Sequence, residues 1–447
     1  MPYVVTQSCC SDASCVLACP VNCIHPAPGE PGFAESEMVY IDASTCVDCG
    51  ACTTACPVDA IKPHTQLADS ELPFIALASS YYNEFPHADR TPLALVPVVD
   101  RPRRSEEIRV AIVGAGPAAM YAADELLKYP DVVVDVIDRL PTPYGLARAG
   151  VAPDHQRTKK VARLFGMIEQ EPGFNYLLNL RVGEHVSHAE LVAHYHGVIY
   201  AVGASSDRSM GIDGESLPGS WSATAVVGWY NGHPDYRDLE VDLGAERVVI
   251  VGNGNVALDV ARILTLDPDK LAATDIAEHA LEALRSSAVR EVVVLGRRGP
   301  EAAAFTVPEL IGLMSLPDVD LVVEGDLSGE GEISGLLAEV ASRSRHPHHR
   351  RIVLRFNTAP VRVLGDGHVV GLEVARTIVS GSSVELTDDR EVIETSMVLR
   401  SVGYQGVAVP DLPFDETSAT VPNDLGRVAV GTYVTGWIKR GPRGFIG

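Results

Sequence analysis

Short apolar runs alternate along the chain with glycine turns and helix-favouring stretches, most regularly at residues 108–127, IRVAIVGAGPAAMYAADELL. Six residues rich in Val and Ile read as a buried strand, the glycines as a turn, and the Ala- and Leu-rich remainder as a helix. Residues 246–264, ERVVIVGNGNVALDVARIL, repeat the design. Each is followed by a further apolar run, at 132–137 and 291–295, so two strand–turn–helix–strand units are predicted. Between residues 66 and 107 the periodicity is lost and prolines recur at 73, 86, 92, 97 and 102, which predicts a tether with a basic DRPRR at 100–104. Its aromatics, Phe74, Tyr81, Tyr82 and Phe85, predict that part of it packs on a neighbour. The Pro- and Gly-rich stretch 139–161 leaves the tip of the 132–137 run and reads as a structured loop beside the first turn.

The turns carry chemistry. Gly114 permits a tight turn, Gly116 lets the backbone approach a pyrophosphate, and Ala119 is small enough for the helix to pack close to the strand. The next apolar run ends in Asp138, whose carboxylate can accept ribose hydroxyls, so a dinucleotide is the expected ligand. Gly252, Gly254 and Ala257 take the same places in the second unit, and two such folds imply two dinucleotides. There the following strand ends not in an acid but in Gly296, Arg297 and Arg298. A guanidinium can fork onto a ribose 2′-phosphate that a carboxylate would repel, so the second ligand is expected to be NADP(H) rather than NAD(H).

Composition narrows the class. A chain of 447 residues suggests two to four units, and a formal charge of −23 argues against nucleic acid. No apolar run of 18 residues exists and the N-terminus lacks a targeting pattern, so a soluble cytoplasmic protein with no membrane partner is expected. All nine cysteines lie between Cys9 and Cys56, which marks them as ligands of one module and leaves no dithiol downstream for a disulfide reductase. Cys46, Cys49, Cys52 and Cys56 fall in C-x2-C-x2-C-x3-C followed by Pro57, the bacterial iron–sulfur run, whose last cysteine is turned toward a second cluster. A reciprocal set is present as Cys15 and Cys19 before Pro20, with Cys9 or Cys10 upstream, and ACPVNCI at 18–24 echoes ACPVDAI at 55–61. Structural zinc is disfavoured because no paired C-x2-C knuckle is present. Seven acids between Asp12 and Asp59 against Lys62 alone make the module acidic, a solvated face or a docking face.

With both C-P motifs in view, residues 1–65 resemble a seven-iron bacterial ferredoxin. The resemblance implies a [4Fe-4S] cluster on Cys19, Cys46, Cys49 and Cys52 and a [3Fe-4S] cluster on Cys9, Cys15 and Cys56. The first two ligands stand closer here than in that family. Cys10 is an extra neighbour that as a fourth ligand would make a second [4Fe-4S] cluster, but it is expected, like Cys23, to be a free thiol. The 139–161 loop, GNGNVALDVARIL at 252–264, GRRGP at 296–300 and GWIKRGP at 436–442 together resemble the adrenodoxin-reductase family of ferredoxin-NADP reductases. The whole chain is similar to bacterial enzymes with a ferredoxin fused ahead of such a reductase.

That resemblance implies FAD contacts at Ala118, Asp138, Leu146, Val182, Trp437, Gly444, Phe445 and Ile446, besides the Gly114, Gly116 and Ala119 turn. It implies NADP contacts at Asn253, Gly254, Asn255 and Val256, beside Gly252, Arg297 and Arg298. Glu309 and Gly444 would lie on the nicotinamide side, although Thr306 and Glu309 also fit a helix capping box. His155 would lie near the flavin or be a solvated loop residue. The basic, histidine-bearing 343–351 stretch reads as a solvated or partner-facing patch rather than a zinc site. Arg443 stands where the family has threonine. The family also continues beyond Gly447 into a helix and tail, so the sequence reads as a truncated product in which FAD retention is in question.

The expected fold is α/β: two Rossmann-like dinucleotide-binding domains, the FAD domain discontinuous, behind a small α+β ferredoxin domain. The divisions fall at 1–65 (ferredoxin), 66–106 (linker), 107–207 and 404–447 (FAD domain) and 208–403 (NADP domain). The expected activity is hydride transfer between NADPH and FAD, then single-electron transfer through the clusters to acceptors such as a ferredoxin or a cytochrome P450. A glutamate-synthase-like electron-input subunit and an electron-carrier module with an FAD-poor reductase half are the alternatives.

Overall fold

The computed structural model describes residues 2–93, 106–327, 329–381 and 383–444. The chain forms two compact units, one of residues 1–151, 157–206 and 404–447, the other of residues 152–156 and 207–403.

The first unit begins with the cysteine module. Tyr3–Val5 pairs antiparallel with Ile61–Pro63, and Ile24–His25 with Tyr40–Ile41. Two five-residue helices, Ser14–Ala18 and Ala51–Ala55, carry the echo seen in the sequence. Each is preceded by a left-handed residue, Ala13 (φ 59°) or Gly50 (φ 76°), and each ends on an extended cysteine, Cys19 or Cys56, followed by proline. A residue before proline is pushed to extended backbone, so the C-P motif itself stops both helices.

The segment expected to be a tether is partly ordered on this module. Pro73–Glu84 is a helix whose Tyr82 hydroxyl donates to the carbonyls of Cys23 (3.0 Å) and Tyr40 (2.8 Å), while Tyr81 stacks on Tyr40 at 4.5 Å. Proline at its first position costs nothing there, because that N–H has no helical partner to lose. The chain then turns back, with Arg90 reaching Asp42 at 3.3 Å and His87 stacked on His25 at 3.7 Å. The basic 100–104 run lies outside the described residues.

Behind the module lies a six-stranded sheet in the order Arg427–Ala429, Thr432–Val434, Gly197–Tyr200, Ile108–Val113, Val132–Asp138, Phe174–Leu178, parallel except at the first pair. The 404–447 segment thus adds two strands to a sheet begun 300 residues earlier, which makes this domain discontinuous. Ile108–Val113 sits inside the sheet with Ala111 and Ile112 fully buried. Burial on both faces is why this run is uniformly apolar rather than alternating.

The second unit holds a six-stranded, fully parallel sheet ordered Ser220–Ser222, Met397–Arg400, Arg247–Val251, Glu291–Leu295, Arg350–Arg355, Val319–Glu324. An antiparallel meander, Thr358–Gly365, Val369–Ser380 and Ser383–Glu394, follows the fifth of these. Strand period decides the layering: Val248 and Ile250 join the helix-side core with Leu258 and Ala261, whereas Val249 and Val251 join Leu372 and Val374 of the meander. Each such fully buried aliphatic contributes about 2 kcal/mol relative to exposure. Both units are α/β with Rossmann-like sheets, as the alternation of runs predicted.

Candidate functional site

In the first unit Gly114 has φ 102°, and a Cβ there would lie 2.5 Å from the Ala201 carbonyl, so the turn excludes any side chain. Gly116 is the last residue before the helix Pro117–Leu127, and no atom lies within 4 Å of where its Cβ would be. The helix N-terminus therefore faces open space with its amides unpaired by side chains, the arrangement that accepts a pyrophosphate. Asp138, at the end of its strand, accepts from Ala115 N–H (2.7 Å) through Oδ2 and from Leu140 N–H (2.8 Å) through Oδ1. A carboxylate has about four acceptor sites, so two remain for ribose hydroxyls.

The 139–161 loop folds onto this turn: Tyr144 N–H donates to the Ala115 carbonyl (2.7 Å), and Leu146 lies exposed on the short helix Gly145–Ala149. Ala119 is fully buried against the strand, and Val182, bridged to Val186, lies against the core of the sheet. The C-terminal segment arrives at the same place. Gly436 (φ 71°) lies so close to Ala118 that an added Cβ would stand 2.6 Å from the alanine Cβ, and Trp437 meets Tyr404 at 5.5 Å. Gly436 was not singled out from the sequence, because nothing local to GWIKRGP shows that Ala118 lies beneath it. Phe445 and Ile446 lie outside the described residues.

The second unit repeats the geometry. Gly252 has φ 104° with the Ser401 carbonyl against its Cα, and Gly254 precedes the helix Asn255–Thr265 with open space at its Cβ position. Gly296 leaves room for the Asn253 side chain, whose Nδ2 would be 2.7 Å from a Cβ there. Val256 packs at the edge of the core, while Asn255 Oδ1 accepts the Thr306 N–H at 2.9 Å. Arg297 is exposed and Arg298 half-buried at the tip of Glu291–Leu295. Their carbonyls are pinned by the Thr377 hydroxyl (2.9 Å) and the Asn357 N–H (3.1 Å). The backbone is thus fixed independently of the guanidinium groups.

The capping-box reading of Thr306 and Glu309 is not what forms. Thr306 does precede the helix Val307–Met314, but its side chain caps nothing, and Glu309 is buried with its carboxylate 3.5 Å from Arg262. Arg262, also buried, is the centre of a cluster that no local motif marks. Its guanidinium meets Asp154 at 2.6 and 3.2 Å and Asp259 at 2.6 Å, and it donates to His155 Nε2 at 2.8 Å. Because Arg can only donate, His155 accepts through Nε2 and carries its proton on Nδ1. Burial alone would raise the Asp154 carboxyl, but the Arg262 charge outweighs it and holds it below the ordinary range.

The nine cysteines form no disulfide, and they gather into two groups. Cys19, Cys23, Cys46, Cys49 and Cys52 line one pocket whose other walls are apolar apart from Tyr3. Burial pushes the Cys52 thiol up to about 12, so only a cation in the cavity would hold it as thiolate. Cys23 stands 3.4 Å from Cys19 Sγ, beside the ligand set rather than outside it. Cys9, Cys10, Cys15 and Cys56 make up the second group, where burial pushes the Cys9 thiol up to about 12. Cys10 also donates to the Asp12 carboxylate at 3.7 Å. Both groups fit iron–sulfur clusters: thiols converge, polar competitors are few, and a metal's charge is what the burial lacks.

In the basic 343–351 stretch Arg343 pairs with Glu339 and Arg351 with Glu291, while Arg350 donates to the Leu266 carbonyl. His346 and His349 converge on Asp320 at 3.4 and 3.0 Å, a partner that sequence spacing could not reveal. No helix among the described residues is long and apolar enough to cross a membrane.

Known proteins agree with this geometry. A model described as pyridine nucleotide-disulphide oxidoreductase matches residues 108–293, and one described as 4Fe-4S binding domain matches residues 39–62. A probable ferredoxin/ferredoxin–NADP reductase of Mycobacterium tuberculosis is 54% identical over 100% of this chain and 81% of its own length. The Mycobacterium leprae protein of the same description is 53% identical over 100% of this chain and 83% of its own. The solved structure of Mycobacterium tuberculosis FprA in complex with NADPH superposes with a TM-score of 0.74 at 46% identity, covering 76% of this chain and 81% of that one. With a cysteine module ahead of two nucleotide folds and relatives matched along its whole length, the chain belongs to the ferredoxin-NADP reductases of the FprA, adrenodoxin-reductase-like family that carry an N-terminal ferredoxin.

Proposed function

We propose that the first unit holds FAD and two iron–sulfur clusters, that the second holds NADPH, and that the protein passes the electrons of NADPH singly to outside acceptors. When bound, FAD takes a hydride and the clusters carry single electrons. The chain supplies position and charge. The helix beginning after Gly116 neutralises the FAD pyrophosphate, Asp138 accepts the ribose hydroxyls, and Ala118, Leu146, Val182, Trp437 and Gly444 shape the rest of the site. Asn253, Gly254, Asn255 and Val256 cradle the NADP pyrophosphate, and Arg297 and Arg298 take its 2′-phosphate. Arg262 holds Glu309 and His155 in fixed orientation. The observation that carries this reading is the pairing of two glycine turns, one followed by an acid and the other by two arginines, with thiol groups in the first unit. Mixing the purified holoprotein with NADPH anaerobically is expected to bleach flavin and then cluster absorption. Flavin bleaching with the clusters left oxidised would remove the internal path.

Cys19, Cys46, Cys49 and Cys52 are assigned a [4Fe-4S] cluster, and Cys9, Cys15 and Cys56 a [3Fe-4S] cluster. The Cys10–Asp12 contact supports three rather than four ligands in the second group. The holoprotein should contain seven irons per chain and give a three-iron EPR signal when oxidised; eight irons and EPR silence would make Cys10 a ligand. A ferredoxin or a cytochrome P450 in the cytoplasm is the proposed acceptor.

A further inference from the structure

The two thiol groups differ in what surrounds them. Among the described residues, contacts that tie the cysteine module to the flavin fold include two beside Cys9 and Cys56. The Thr158 hydroxyl donates to the Ser8 carbonyl at 3.3 Å, next to Cys9. Lys160 pairs with Asp59 at 2.7 Å and Arg163 stands 4.0 Å from the same carboxylate, three residues after Cys56. Arg157 reaches Glu71 at 3.1 Å. Gly444 lies against the loop whose Ser36 carbonyl accepts from Ser11, its Cβ position 3.0 Å from the Ala34 carbonyl.

Tyr121 lies on the helix that starts after Gly116, about 8 Å of helix axis from the pyrophosphate turn, and its hydroxyl is buried with no hydrogen-bond partner among the described residues.

The cavity of Cys19, Cys46, Cys49 and Cys52 is lined by other residues, and it opens outward: Cys49 and Asp48 are exposed, and Val47 is 58% exposed. Tunnelling falls off exponentially with distance, so the group packed on the flavin fold and the group open to solvent have different tasks.

We infer that the site of Cys9, Cys15 and Cys56 receives electrons from the flavin fold, and that the site of Cys19, Cys46, Cys49 and Cys52 delivers them to the outside acceptor. Each relay moves one electron from the first site to the second with no bond made or broken. Two such events consume the pair supplied by one NADPH, and the proton left by the hydride goes to solvent. The assignment rests on the cluster reading above, but it concerns accessibility and is tested apart from turnover.

The test uses holoprotein with a soluble dysprosium chelate, a relaxing agent that acts only on paramagnets near the surface. The EPR power saturation of each cluster is read with and without the chelate, the three-iron signal in oxidised protein and the four-iron signal after dithionite. The half-saturation power of the Cys49-site signal should rise severalfold, while that of the Cys9-site signal changes by less than a factor of two. If both centres prove to be four-iron, Cys49→Ser identifies the outward one, since it alters that signal alone. Lys160→Glu should open the contact and raise the sensitivity of the Cys9 site, and adding Asp59→Lys should restore protection. Equal sensitivity of both sites, or greater sensitivity at the Cys9 site, overturns the inference. Absence of cluster signals altogether would instead overturn the cluster reading.

Discussion

Replacing Arg297 and Arg298 together by alanine is expected to lower kcat/KM for NADPH by two to three orders of magnitude and to leave that for NADH within about threefold. A hydrogen bond to a charged group contributes about 1.5–3 kcal/mol, and a pair on one phosphate, partly exposed, contributes about 3–4 kcal/mol in total. Because 1.36 kcal/mol is tenfold in rate, the loss is on the order of a few hundredfold. NADH lacks the 2′-phosphate and so has nothing to lose. The substitution is clean because Thr377 and Asn357 hold the backbone of these residues through its carbonyls, which alanine keeps. Raising the salt concentration should weaken NADPH binding in the parent protein more than in the variant, since Arg297, the proposed phosphate ligand, is exposed. Steady-state kinetics with both nucleotides and a soluble one-electron acceptor decide the matter. Equal losses for NADPH and NADH would mean that the arginines hold the fold and not the phosphate.

That prediction could be framed from sequence, and the reason is local. A strand tip, a positive-φ glycine and the residue after the strand are neighbours in the chain, so Gly114, Gly252, Arg297 and the C-P motifs announce their geometry within a dozen residues. What sequence missed is held by distant contacts. The helix Pro73–Glu84 reads as tether in the sequence because its apolar positions do not form a regular stripe; it is held by Tyr81 and Tyr82 on the backbone and ring of a strand some forty residues earlier. Glu309 fitted a local capping pattern, yet its carboxylate meets Arg262, 47 positions away. His155 was placed by resemblance alone, and its partner Arg262 lies 107 positions on. Asp320 between His346 and His349 is the same case. A local motif wins when its own hydrogen bonds are the best on offer, and it yields when a buried charge must be matched.

Arg262→Met is expected to destabilise the second unit by about 3–5 kcal/mol at neutral pH, which for a unit of this size lowers Tm by on the order of 10 °C. Methionine fills much the same volume, so the cost is electrostatic: Asp154, Asp259 and Glu309 would face one another around an apolar side chain with no cation. The pH dependence separates this from a packing defect. In the parent protein Arg262 holds the Asp154 carboxyl below its ordinary value. That stability is complete above the unfolded value near 4 and is lost as pH falls through the folded one. Without Arg262 the burial of Asp154 is opposed only by His155 and a backbone hydrogen bond, so its folded value is expected to move up past the unfolded one. The ionised form is then penalised, and the penalty is relieved as the carboxyl takes up a proton. The difference in Tm between parent and variant should therefore be largest at pH 8 and shrink on moving to pH 5.5, with iron content checked at both. Arg262→Lys, which keeps the charge but cannot fork onto Asp154 while reaching His155, should fall between the two. A difference that is small, or the same at both pH values, would show that the guanidinium is not what balances this buried charge.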